Sequence, residues 1–142
     1  MVDRKKQIEK LFAAVSSRDE AVIRELFAED AVLIEGAPRL KDPKAKVKFE
    51  GIEDILGFFL SETKSDDHFR IEPAHHIQEG NWIATEWTVT REIESVPDVR
   101  HGVDLYQFEG DKIVYGKVFV DLASLPPFRD APQEGPQVDT GI

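Results

Sequence analysis

HGVDLYQFEGDKIVYGKVFVD, residues 101–121, decides the fold. Two segments rich in β-branched and aromatic residues, 99–109 and 112–122, flank Gly110-Asp111. A two-residue break with glycine between such segments predicts a hairpin. Towards the N-terminus, 81–94 and 68–79 share this composition and meet at a second turn, Gly80-Asn81. Ser95 to Asp98 forms the remaining break. Four such strands in succession predict a long antiparallel meander.

Upstream the periodicity is helical. Ile8, Leu11, Phe12 and Val15 fall at i, i+3, i+4 and i+7, one apolar face with a charged opposite side. Ser17 and Glu20 match a capping box, which predicts the start of a second helix carrying Val22, Ile23, Leu26 and Phe27. Ala31-Val32-Leu33-Ile34 reads as a short strand, and Glu35 to Lys48, with Gly36, Pro38 and Pro43, as a loop. Ile52, Ile55, Leu56 and Phe59 restore helical spacing to about Thr63, with Gly57 weakening it modestly. Three helices and a meander predict an α+β domain over residues 1–123, the helices packed on one face of a curved, mainly antiparallel sheet. Residues 124–142, with Pro126, Pro127, Pro132 and Pro136, read as a tail that is disordered or draped over a neighbour.

Composition narrows the function. The 142 residues hold 18 Lys and Arg against 28 Asp and Glu, a net charge of −10. Such a chain repels phosphate backbones and anionic lipid, so neither nucleic acid nor membrane is an expected partner. The absence of cysteine excludes a disulfide scaffold, a thiolate nucleophile and Cys-ligated metal. His75-His76 beside Glu72 and Glu79 is not a metal-ligand spacing, because adjacent strand residues point to opposite faces. No phosphate loop, dinucleotide fingerprint or nucleophile elbow occurs, so no metal or other cofactor is expected. Without a signal-peptide pattern or an apolar stretch of bilayer length, a cytoplasmic location is the expectation.

Three stretches carry a resemblance: SSRDEAVIRELFAEDAVLIEG (16–36), GNWIATEWTV (80–89) and the quoted hairpin. With the helix order, residues 5 to about 123 resemble the SnoaL-like branch of the nuclear-transport-factor-two-like and ketosteroid-isomerase-like superfamily. The resemblance implies a cone with three N-terminal helices on the curved sheet, enclosing an apolar cavity. Members are commonly homodimers through the outer sheet face. The fold hosts isomerases, dehydratases, cyclases, epoxide hydrolases and non-catalytic binders, so it implies no single activity.

Similarity to ketosteroid isomerase directs attention to particular residues. Asp104 opens a word in which the isomerase keeps a protonated Asp as oxyanion donor, which implies that Gly102, Asp104 and Tyr106 face the cavity. Glu35 aligns with the isomerase general base. His68 stands near the catalytic His of dehydratase-like relatives, and a neutral His there can take a proton near pH 7. Plain alternation instead sends His68, Arg70 and Glu72 to solvent and Phe69 and Ile71 inward. Leu11 stands where the isomerase has its tyrosine oxyanion donor, a loss that can cost about 10²–10³ in rate. The Asp–Arg–Asp set of the limonene-epoxide-hydrolase-like members is absent, with Thr88, Glu86 and Val118 at the aligned positions.

On 82–90 two readings compete. The alignment sends Ala84, Glu86, Thr88 and Thr90 inward, which makes Glu86 and Thr88 ligand-binding and leaves Ile83, Trp87 and Val89 as a dimer stripe. Amphipathic alternation sends Ile83, Thr85, Trp87 and Val89 inward and leaves Glu86 on the surface. With Tyr106 and Phe59 as further ligand contacts, the expected catalytic set is Asp104, Glu35 and His68. The expected activity is cofactor-independent proton abstraction next to a carbonyl of a small hydrophobic molecule. The result would be isomerisation, dehydration or cyclisation. The alternative is a dimeric module that binds a hydrophobic ligand without chemistry.

Overall fold

A computed structural model describes residues 3–36, 44–63 and 68–121. The predicted tail lies outside these residues, as do 37–43 of the predicted loop. The elements run α1 (Arg4–Ser17), α2 (Glu20–Leu26), β1 (Phe27–Glu35), β2 (Lys48–Glu50), α3 (Ile52–Glu62), β3 (Arg70–Glu79), β4 (Trp82–Ile93), β5 (Val96–Glu109) and β6 (Lys112–Val120). The architecture is α+β, with three helices and a six-stranded mixed sheet in the order β2-β1-β6-β5-β4-β3.

The apolar helical face is buried as its spacing predicts: Ile8, Leu11, Phe12 and Val15 all lie in the core. Each such side chain contributes about 1.5–3 kcal/mol on leaving water. The predicted capping box does not form. Ser17 belongs to the last turn of α1, where its hydroxyl donates to the carbonyl of Ala13 (3.0 Å). Arg18 ends that helix in the left-handed region (φ 57°), and Asp19 caps α2 by accepting from Val22 N (3.2 Å). An Asp one residue before the helix serves the same orphan donor.

The meander β3-β4-β5-β6 is antiparallel throughout, but β1 joins β6 in parallel. A short strand, β2, begins at Lys48, the last residue of the predicted loop, and pairs antiparallel with β1. Strand β5 starts at Val96, earlier than its composition predicts. Glu94 and Ser95 both take positive φ (51° and 65°), forming the two-residue turn whose twist suits a hairpin. No described helix is long and apolar enough to cross a membrane.

The registers stack the inner face into rows. Thr85, Asp104, Val118 and Glu35 are successive cross-strand neighbours on β4, β5, β6 and β1. The next row holds Trp87, Gly102 and Val120; beyond it come Ile71, Val89 and Arg100, then Arg91 and Asp98. On the opposite side of the Asp104 row lie Ile83, Tyr106, Gly116 and Leu33.

Candidate active site

A pocket of about 240 Å³ opens between this inner face and α3. Asp104 and Glu35 line it, with Val118 between them and Trp87, Val89 and Phe59 among the apolar walls. Alternation along β5 presents Asp104 inward, and it is 3% exposed. Glu35 ends β1, is 9% exposed, and is held by the ladder that pairs β1 with β6. Its backbone N–H donates to the carbonyl of Val47 (2.8 Å), so β1 is gripped on both sides here. Asp104 and Glu35 sit two strands apart in one row, roughly 10 Å between backbones.

Two aromatic donors hold the Asp104 carboxyl. Trp87 Nε1 donates to Oδ1 (2.7 Å) and the Tyr106 hydroxyl donates to Oδ2 (2.7 Å). Burial pushes the Asp104 pKa up to about 7, and the hydrogen bonds from Tyr106 and Trp87 work against that rise. Burial also pushes Tyr106 well above its ordinary value, and the neighbouring Asp104 charge adds to this. The two aromatics are seated over glycines. Trp87 is the direct partner of Gly102, where a Cβ would collide with the indole ring; Tyr106 is the partner of Gly116, where a Cβ would lie 2.6 Å from the phenol ring. Large rings opposite glycine fill the missing side-chain volume, and here that brings both donors onto Asp104.

At the outer rows Arg91 and Arg100 line the pocket from the sheet. Arg91 Nε (3.4 Å) and Arg100 Nε (2.9 Å) both donate to Oδ2 of Asp98, whose side chain is 5% exposed. Arg91 Nη1 also donates to the carbonyl of Glu62 (3.3 Å), tying β4 to the end of α3. Arg18 Nη1 grips the same helix end through the Leu60 carbonyl (3.0 Å) and Thr63 Oγ1 (3.2 Å). These bonds hold the helix that carries Phe58 and Phe59 into the pocket.

Several expected site residues lie elsewhere. His68 does not line the pocket: it occupies a turn (φ 50°) ahead of β3, its side chain is 76% exposed, and its Nε2 lies 3.9 Å from Glu92. Phe69 and Ile71 take the inward places instead and line the pocket, as alternation alone implies. Glu86 and Thr88 face the outer side of the sheet, where the Thr88 hydroxyl lies 3.3 Å from His101 Nδ1. Ile83, Thr85, Trp87 and Val89 fill the inner side, so they are core and pocket and not a dimer stripe. The large apolar side chains outweigh the alignment, because only the inner face can bury them. Tyr106 is fully buried behind Asp104, does not line the pocket, and spends its hydroxyl on that carboxyl. Phe59 lines the pocket as expected. Among the described residues no cluster of His, Asp and Glu is placed to hold a metal ion.

The sequence reading did not identify Trp87, Arg91, Arg100 and Asp98 as site residues. Their signal was present in the apolar alternation of β4: once Trp87 and Val89 point inward, Arg91 follows, and Arg100 shares the parity of Asp104.

The fold and this pocket define a class of small α+β domains that gather polar groups in a recess between sheet and helix. The SnoaL-like domain family model matches residues 8–116, and the chain belongs to that family. Solved structures agree at the level of fold. IdmH from Streptomyces antibioticus, a candidate polyketide cyclase, superposes with a TM-score of 0.74 at 19% identity, covering 92% of this chain and 100% of that one. TerC co-crystallised with polyporic acid gives 0.72 at 14% identity, covering 89% and 97%. A protein with a ketosteroid-isomerase-like fold from Catenulispora acidiphila, in complex with trimethylamine, gives 0.71 at 17% identity, covering 89% and 93%. No curated protein matches the chain.

Proposed function

We propose that the protein is a small cofactor-independent enzyme of the cyclase or isomerase type, moving a proton next to a carbonyl of a small hydrophobic molecule. The pocket is read as the cavity of a cone closed by the helices. One observation carries the reading: Glu35 and Asp104 line one largely apolar pocket from the same row, and burial pushes the Asp104 pKa up to about 7. A neutral Asp104 keeps an O–H to donate to a carbonyl oxygen as negative charge develops there. Glu35, at the strand end, is the base that takes the proton from the adjacent carbon. A group that titrates at about 7 can lend and recover a proton at neutral pH.

The test is solvent deuterium exchange into α-protons of a ketone panel, starting with 2-tetralone, followed by NMR. Exchange above background that falls at least about 100-fold in Asp104→Asn and in Glu35→Gln is the expected result. Equal exchange in wild type and both variants sinks the mechanism.

The non-catalytic binder is the second reading, favoured by two observations. Leu11 is buried core with no donor to offer, and the Tyr106 hydroxyl is already committed to Asp104. Native mass spectrometry that shows one intact, never converted ligand at constant stoichiometry supports this reading.

The partner proposal is a homodimer through the outer sheet face. There Val103 and its cross-strand neighbour Phe119 are exposed, with Val99 further along the same strand as Val103 and Ile77 on β3. Light scattering at micromolar concentration is expected to give twice the chain mass, falling to the monomer in Phe119→Glu. A monomeric wild type removes the proposal.

A further inference from the structure

We infer that the Arg91–Asp98–Arg100 group is an anion-recognition subsite. It selects ligands with an acidic group at the end opposite their reactive carbonyl. This rests on the proposed use of the pocket and adds the chemical class of what enters it. Two guanidiniums share one oxygen of one carboxylate, and each uses its Nε to do so. Arg91 spends a terminal nitrogen on the Glu62 carbonyl. Arg100 makes no such commitment: among the described residues its two terminal NH₂ groups have no hydrogen-bond partner. Its side chain is 24% exposed and lines the pocket. Asp98 is almost completely buried and holds the Arg100 fork in place, so little rotamer freedom remains to be lost on binding. A fixed guanidinium fork suits the two oxygens of a carboxylate.

Position sets the spacing. Arg100 and Asp104 are four residues apart on a stretch of β5 whose register with β4 is unbroken, roughly 13 Å along the strand. Trp87, Val89 and Val120 line the space between. That order of donor, apolar wall and cation fits a flat apolar molecule with a carbonyl at one end and an acid at the other. Glu62 lines the same pocket and offsets part of the positive charge. Selection therefore comes from the directed N–H groups of Arg100 more than from net charge.

The test uses 6-acetyl-2-naphthoate, its neutral carboxamide, and the corresponding 6-acetyl-2-naphthylmethylammonium ion. Calorimetric titration of the full chain at pH 6.5 is expected to rank the carboxylate at least tenfold above the carboxamide, with the ammonium weakest. Arg100→Gln is expected to erase the gap between carboxylate and carboxamide while the carboxamide keeps its affinity, which also shows that the pocket remains folded. Equal affinity for acid and amide in wild type, or tightest binding of the ammonium, overturns the subsite and leaves the proton-transfer reading to the deuterium-exchange test. Carboxylate selectivity without any exchange upholds the subsite and sinks the enzyme. No binding by any of the three overturns the assignment of a planar aromatic acid.

Discussion

Glu35 and Asp104 share one cross-strand neighbour, Val118, which pairs with Glu35 in parallel and with Asp104 in antiparallel. Both carboxyl residues therefore reach the pocket from the same row, on either side of one apolar side chain. They are close enough to act on one molecule.

The pH dependence of proton transfer follows from the Asp104 pKa of about 7. In the proposed mechanism the neutral carboxyl is the donor, so kcat/KM for α-proton exchange is expected to fall tenfold per pH unit once pH passes about 7. Measured between pH 5 and 9, that falling limb is expected in wild type and missing from the residual rate of Asp104→Asn.

Stability carries the same titration with a definite sign. The folded pKa lies above the ordinary 3.8, so the folded state holds a proton that the unfolded chain releases. The contribution is fully present below about pH 4 and is lost as pH rises through about 7. Complete ionisation of this buried group takes about 4 kcal/mol from the folded state. Urea unfolding at pH 5 and pH 8.5 is expected to show the balance between wild type and Asp104→Asn moving towards the variant at the higher pH by roughly 3 kcal/mol, the part of the loss that falls between pH 5 and about 7.

Trp87 and Tyr106 each donate to Asp104, and both bonds favour its ionised form. Removing one donor raises the pKa further. Trp87→Phe and Tyr106→Phe are each expected to move the falling limb upward by about one pH unit, the size of one hydrogen bond to a charged group. A limb that stays in place in both variants means that the aromatics only fill space.

Gly102 acts on Asp104 through Trp87. A methyl at this position meets both the indole and the Phe119 backbone carbonyl, and the backbone cannot yield cheaply. Gly102→Ala is expected to destabilise the fold by about 1–3 kcal/mol and to shift the limb in the same direction as Trp87→Phe. A thermal melt paired with the pH profile separates the two effects, because a purely structural loss lowers the melting temperature and leaves the limb unmoved.

Much of the architecture was legible along the chain because local rules and the final fold agree. The 3.6-residue spacing of Ile8, Leu11, Phe12 and Val15 has one way to bury its apolar face, and the Gly80-Asn81 and Gly110-Asp111 breaks have one economical turn. The parity of β5 was not readable from alternation, since Val103 and Leu105 on one face are as apolar as Tyr106 and Phe108 on the other, and it came from the resemblance to ketosteroid isomerase. Strand β4 resisted. Thr85, Ala84, Thr88 and Thr90 fit either face, so an alignment could place Glu86 inward against the preference of Trp87 and Val89. Once the helices cover one side of the sheet, burying the indole and the valine outweighs any place for Glu86, and the strand turns accordingly.

Glu35 and Asp104 were singled out through the resemblance to ketosteroid isomerase, whereas the chain by itself determined the class of fold, the helix faces and the hairpins. Those features arise from patterns a few residues long, which neighbouring elements reinforce. Tertiary structure alone decided that β1 runs parallel to β6, which brings Glu35 into the row of Asp104 from about seventy residues away. It also decided that Trp87 bonds to Asp104 and that Arg91 and Arg100 meet on Asp98. Each depends on which strand lies beside which and in what register, and that is settled by packing the whole sheet against its helices.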